Sequence, residues 1–194
     1  MSSQFLYKLP VEQTQWKFEG QTTTAFTWEY EDGGADLLKL YAKGKKQQWD
    51  AAERLDWSLP VDPDNPMGLD DRTIAIYGTS LWNSLSDKDK AHVRRNLQAH
   101  TLSQFMHGEQ GALIATSKIV QTVPGVPAKF YAATQVMDEA RHVEAYARLL
   151  HEKVKLAYPI TKTLALLLES TISDRRWDMT DLDMQVLIEG LALA

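Results

Sequence analysis

Apolar residues return every three or four positions from Ser86 to about Gln121, and again from about Pro127 to Tyr158. That is the spacing of helices with one buried face. It predicts two long helices over those ranges. Ser86 with Asp89 three residues on gives the first a capping-box-like start, and Pro127 suits the first turn of the second. The turn between them, Pro124 to Pro127, is short, so the two should run antiparallel. Gly108 and Gly111 interrupt the first pattern, each at a cost of roughly 1 kcal/mol against alanine. Pro159 opens a third predicted helix through Ser170, and Thr180 with Asp183 caps a fourth that is still running at Ala194.

Before residue 86 the pattern is weaker. Residues 35–49 read as a short amphipathic helix. Residues 56–70 carry prolines at 60, 63 and 66 and read as a loop. Residues 1–34 show no clear period and read as an arm, with an extended piece around Thr22–Tyr30. The expected architecture is therefore all-α: an arm over 1–34 and a helical bundle domain over 35–194.

Composition narrows the chemistry. The 194 residues contain no cysteine, which excludes disulfides, thiolate nucleophiles and cysteine metal sites. A net charge of −5 gives no reason to expect a nucleic-acid partner. The first residues lack the basic start and apolar run of a signal peptide. The longest aliphatic cluster, Leu164 to Leu168, is far too short to cross a membrane. A cytoplasmic protein working through glutamate, aspartate and histidine is the expectation.

Those residues fall on apolar faces. Glu139 and His142, three apart, share a helix face with Ala132, Val136, Val143, Tyr146 and Leu150. Glu109 shares one with Leu102, Phe105, Met106, Ala112 and Leu113, and Glu189 one with Leu182, Val186, Ala192 and Leu193. Counted from the turn, Glu109 and Glu139 both lie roughly 20 Å along their helices at about 1.5 Å per residue. They and His142 should meet at one level. Carboxylates facing a core repel one another and protonate unless cations sit between them. One glutamate per helix with a Glu-x-x-His pair is the ligand pattern of a dimetal helical bundle. The other reading of each residue is an exposed charge or a salt bridge to Arg141 or Arg148. Glu169 rivals Glu189 but lies near a helix end. Glu144 and Glu152 read as surface, and His92, His100, His107 and His151 as non-ligands. Gly108 and Gly111 either leave space beside Glu109 or let helices approach closely.

The segments HGEQGALIA, DEARHVEAYARLL and VLIEGLALA resemble the ferritin-like diiron carboxylate superfamily. The likeness is to the branch of ribonucleotide reductase small subunits, related ligand-binding oxidases and bacterial multicomponent monooxygenases. It spans roughly residues 35–194, with LYAKGKKQQWDAAERLDWS matching the segment ahead of the bundle in some members. The resemblance implies a ferritin-like helical bundle and a dioxygen-activating oxidase or oxygenase. The metal would be two iron ions, or a mixed manganese–iron pair, with dioxygen as co-substrate. It implies Glu109 as the first-helix ligand, Glu139 as a bridging ligand, His142 on the same iron, and Glu189 on the second. Asp138 would orient a ligand histidine, and Arg141 would pair with such acids. Tyr146 falls where radical-bearing subunits keep their tyrosine. Phe105, Leu102, Ala112, Val136 and Tyr146 would line the substrate pocket. The substrate would be a small organic molecule; arylamine nitrogen, alkyl carbon and aromatic carbon are all oxidised within the superfamily. An electron-donor protein and an oligomer are the partners it suggests.

One departure is plain. A second Glu-x-x-His is missing, and five residues remain after Glu189. The expectation is a domain incomplete at its C-terminus, with the other ligands supplied by a second half, a second chain or a symmetry-related copy. Two other readings compete: an iron-storage or ferroxidase bundle, and a metal-free helical interaction module.

Overall fold

The computed structural model describes residues 22–27, 30, 34–188 and 190; Glu189 therefore lies outside the described residues. Helix dominates, and no strand occurs among them. Helix α1 spans Ala35–Lys46, with Lys43, Lys45 and Lys46 in its last turn, where they complement the helix dipole. Two short helices follow: α2, Ala51–Arg54, and α3, Ser80–Ser84. Each is started by a side chain that accepts a backbone N–H, from Asp50 and Thr79 respectively. The expected loop at 56–70 holds no helix, and residues 22–27 form no regular structure.

The long pair is α4, Asp87–Thr122, and α5, Val126–Arg148. Helix α4 begins as the sequence predicts. Ser86 Oγ accepts from the Asp89 amide at 3.2 Å and donates to its carboxylate at 2.6 Å. Pro127 sits in the first turn of α5. The predicted end of α5 at Tyr158 is too late. After Arg148 the chain widens into a π-helical segment, Leu149–Val154, and Lys155 stops it in the left-handed conformation at φ 54°. Residues beyond it fold back on α4, where their backbone groups find partners. Ser103 Oγ accepts from the Tyr158 amide at 2.9 Å, and His107 Nε2 meets the Tyr158 carbonyl at 2.9 Å. Gln104 donates to the Pro159 carbonyl at 3.0 Å and accepts from the Thr161 amide at 2.8 Å.

Helix α6 runs Lys162–Ser173, capped by Thr161 rather than opened by Pro159. Helix α7, Trp177–Asp181, continues as a second π-helical segment, Leu182–Ile188. The sequence reading of Thr180 as a cap is corrected here: Thr180 is buried within α7. Its hydroxyl accepts from Lys118 Nζ at 3.1 Å and reaches the Thr171 carbonyl at 3.2 Å. Lys118, itself only 7% exposed, also donates to the carbonyls of Ile172, at 2.7 Å, and Asp174. A cation thus closes the C-terminal end of α6.

Helix α5 lies between α4 on one side and α1 on the other. Three apolar clusters hold the layers. Ile119, Val123 and Ala132 pack near the turn; Ala99, Leu102, Leu150 and Val154 pack at the far end of the α4–α5 pair. Ala112 and Ala115 pack on Leu168, Ile172 and Met184 beneath α6 and the end of the chain. Two glycines permit contacts no other residue would. A Cβ on Gly111 would lie 2.4 Å from Leu168 Cδ2, and one on Gly44 would lie 2.9 Å from Thr134 Oγ1. At Gly111 the close-contact reading therefore holds. At Gly108, among the described residues, nothing beyond its own stretch of helix backbone lies within 4 Å of the Cβ position. No helix among the described residues is long and apolar enough to cross a membrane.

Candidate metal centre

The clusters near the turn and at the far end fix the axial register of α4 against α5. Between them both helices turn acidic residues inward. Glu109 comes from α4; Glu139 and His142 come from consecutive turns of α5. His142 Nδ1 lies 3.1 Å from Glu109 Oε2 and 3.1 Å from Glu139 Oε2. One ligand-type atom from each of the three lies within 4.8 Å of the others. The three side chains do stand at one level of the helix pair.

Burial is uneven. The side chains of Glu139, Glu109 and His142 are 9%, 20% and 43% exposed. Burial pushes the Glu139 carboxyl above its ordinary range. The hydrogen bonds to Glu109 and then Glu139 raise the His142 imidazole to about 10, against the lesser opposing effect of its own desolvation. One imidazolium thus faces two carboxylates. Two carboxylate oxygens and an imidazole nitrogen at one point, with apolar packing above and below, are a donor set suited to a divalent first-row metal. The residues present fit an iron site.

The other predicted positions are distributed as follows. Asp138 turns away from His142; it accepts from Arg141 and, at 3.1 Å, from Gln48 Nε2. The expected pairing of Arg141 with an acid is present, and Arg141 is buried rather than superficial. Tyr146 is half-buried with its ring 6.1 Å from Phe105, which is 41% exposed. Of the other expected pocket residues, Leu102 and Ala112 are core and belong to different clusters. Glu144 and Glu152 are exposed, and Glu169 is not one of the convergent acids. His100 and His107 serve the Tyr158 loop, by an edge contact at 5.6 Å and a hydrogen bond. Gln48 and Trp49 were not predicted to matter near the site. They meet α5 through Arg141 and, for Gln48, Asp138, about ninety residues away in sequence, for which no local pattern exists.

No curated protein and no solved structure matches the chain. The family model described as P-aminobenzoate N-oxygenase AurF matches residues 31–172. The match takes in α1, the long pair and all three convergent side chains, and the family is one of diiron oxygenases with a ferritin-like fold. With most of its length and its whole acidic cluster inside the match, the chain belongs to the P-aminobenzoate N-oxygenase AurF family.

Proposed function

We propose that this chain carries half of the metal site of a dioxygen-using oxygenase acting on a small organic substrate. The observation that supports the reading is the convergence of Glu109, Glu139 and His142 on one point between α4 and α5. These three would hold iron, with Glu139, the most buried, as the bridging group. Glu189 is proposed as a further carboxylate. When bound, the metal pair supplies the reduction of dioxygen and the oxidising equivalents passed to the substrate. The protein's own part is to bring the two glutamates together, to orient the imidazole between them, and to keep the flanks dry. Tyr146 and Phe105, beside the trio, are the proposed substrate-facing or redox-active side chains. The remaining ligands, a second Glu-x-x-His among them, would come from a second half or a second chain, and electrons from a donor protein. Arylamines, the class to which the p-aminobenzoate of the family's description belongs, are the first substrates to test.

The test is metal content. Protein loaded anaerobically with ferrous ion, alone or with manganese, and then desalted should retain metal, and Glu139→Ala and His142→Ala should lose it. Retention unchanged by both substitutions overturns the reading. A metal-free polar network is the alternative with an observation in its favour, since the imidazolium is already hydrogen-bonded to both carboxylates. That alternative predicts no retained metal and a loss of thermal stability in both variants.

A further inference from the structure

Helix α5 has two packed faces, and the ligands occupy one of them. On the opposite side, between Glu139 and His142 in sequence, Arg141 is 6% exposed at its side chain. Its guanidinium is held on three sides. Nη1 donates to Gln48 Oε1 at 2.7 Å and to the Trp49 carbonyl at 3.3 Å; Nη2 donates to Asp138. The Trp49 ring lies against it, 4.7 Å from centroid to Cζ. Gln48 closes the circuit. Its Nε2 donates to Asp138 Oδ1 at 3.1 Å and to the Gly44 carbonyl at 3.2 Å. Further back along α5, Thr134 packs closely against Gly44.

We propose that Gln48 and Trp49 are positioning residues for the metal centre, acting through Arg141 to fix the rotation of α5 about its own axis. The inference rests on the metal reading above. The apolar clusters between α4 and α5 set height well, but small and rounded side chains such as Ala99, Ala132 and Val154 resist rotation weakly. The planar, forked guanidinium donates its bonds in fixed directions. Side-chain tips lie about 5–6 Å from a helix axis. A rotation of about 10–20°, the tolerance of a metal or catalytic constellation, would carry them roughly 1–2 Å. That is enough to separate Glu139 and His142 from Glu109. The turn at 47–50 is therefore the far-side brace that keeps the ligand face aimed at α4.

Cobalt(II) serves as the probe, because its visible absorption reports coordination as well as affinity. Gln48→Leu and Arg141→Lys should each weaken cobalt binding about tenfold, the effect typical of removing a partner that orients a ligand, and should alter the absorption bands. Trp49→Phe, which keeps an aromatic face, should lose less than Trp49→Leu. Arg94→Leu breaks the ion pair to Asp71 near the start of α4 and serves as the control for stability alone; it should leave cobalt affinity unchanged. Equal cobalt affinity and unchanged spectra in folded Gln48→Leu and Arg141→Lys overturn the proposal, as does an equal loss in Arg94→Leu. Amide hydrogen exchange in metal-free protein gives a second readout. It should rise at residues 139–143 in Gln48→Leu and stay as it was at residues 99–106. If the parent protein binds no cobalt while exchange follows this pattern, the metal reading fails and the brace stands; if exchange at 139–143 does not rise, the brace fails.

Discussion

Gly111→Ala puts a methyl group where Leu168 already is. The new Cβ would lie 2.4 and 2.7 Å from the two Leu168 methyls and 3.0 Å from Cγ. Ordinary contact begins near 3.4 Å, so a gap of about 1 Å must open in a packed interior, where extra methylenes typically cost about 1–3 kcal/mol. Leu168 is 2% exposed, so it must shift within a packed core. Against this stands a helix-propensity gain of about 1 kcal/mol for alanine over glycine. The net expectation is a loss of about 0–2 kcal/mol, a fall in Tm of up to about 8 °C for a chain of this size. Urea unfolding followed by circular dichroism measures it. The sharper measurement is the double-mutant cycle. Leu168→Ala alone should cost about 2–5 kcal/mol by leaving a cavity. In the double variant the methyl added on α4 partly fills that cavity, so the pair should be more stable than the sum of the singles by about 1 kcal/mol or more. Gly111→Ala more stable than the parent by about 1 kcal/mol, with no coupling to Leu168→Ala, would refute the packing argument.

Further outcomes are expected at Lys118 and His142. Lys118→Met should cost about 2–4 kcal/mol, because it removes charged hydrogen bonds and strands the Ile172 and Asp174 carbonyls in the interior; proteolysis should then cut first around residues 172–176. In metal-free protein the His142 contribution to stability is complete below its unfolded value of about 6.5. It fades as pH rises through about 10, the folded value. The urea midpoint should therefore decline between about pH 7 and 10, and His142→Gln should flatten that decline. Cobalt affinity should rise over the same interval, since the metal competes with the imidazole proton.

The helix pair was readable because its signals are local. Ser86 and Asp89 meet across one turn, Pro127 sits where its missing N–H costs nothing, and equal counting from Pro124–Pro127 puts Glu109 level with Glu139. The errors share a cause as well. The end of α5 is set by Ser103, Gln104 and His107 on another helix, which draw Tyr158 and its neighbours out of a pattern that would otherwise continue. Thr180 has the composition of a cap and is claimed instead by Lys118, sixty-two residues earlier. Helices α2 and α3 carry capping residues, Asp50 and Thr79, but are too short for any period to show. The pairing of Arg141 with Gln48 likewise depends on chain segments that only folding brings together.

The gradient of exposure from Glu139 through Glu109 to His142 gives the cluster a front and a back. On the proposed metal reading, an arriving ion would meet the imidazole first and the innermost carboxylate last, and would depart in the reverse order. Capture and retention would then be divided between neighbouring turns of one helix: changes at the outward ring should govern how fast metal is taken up, and changes at the inward acid how long it stays.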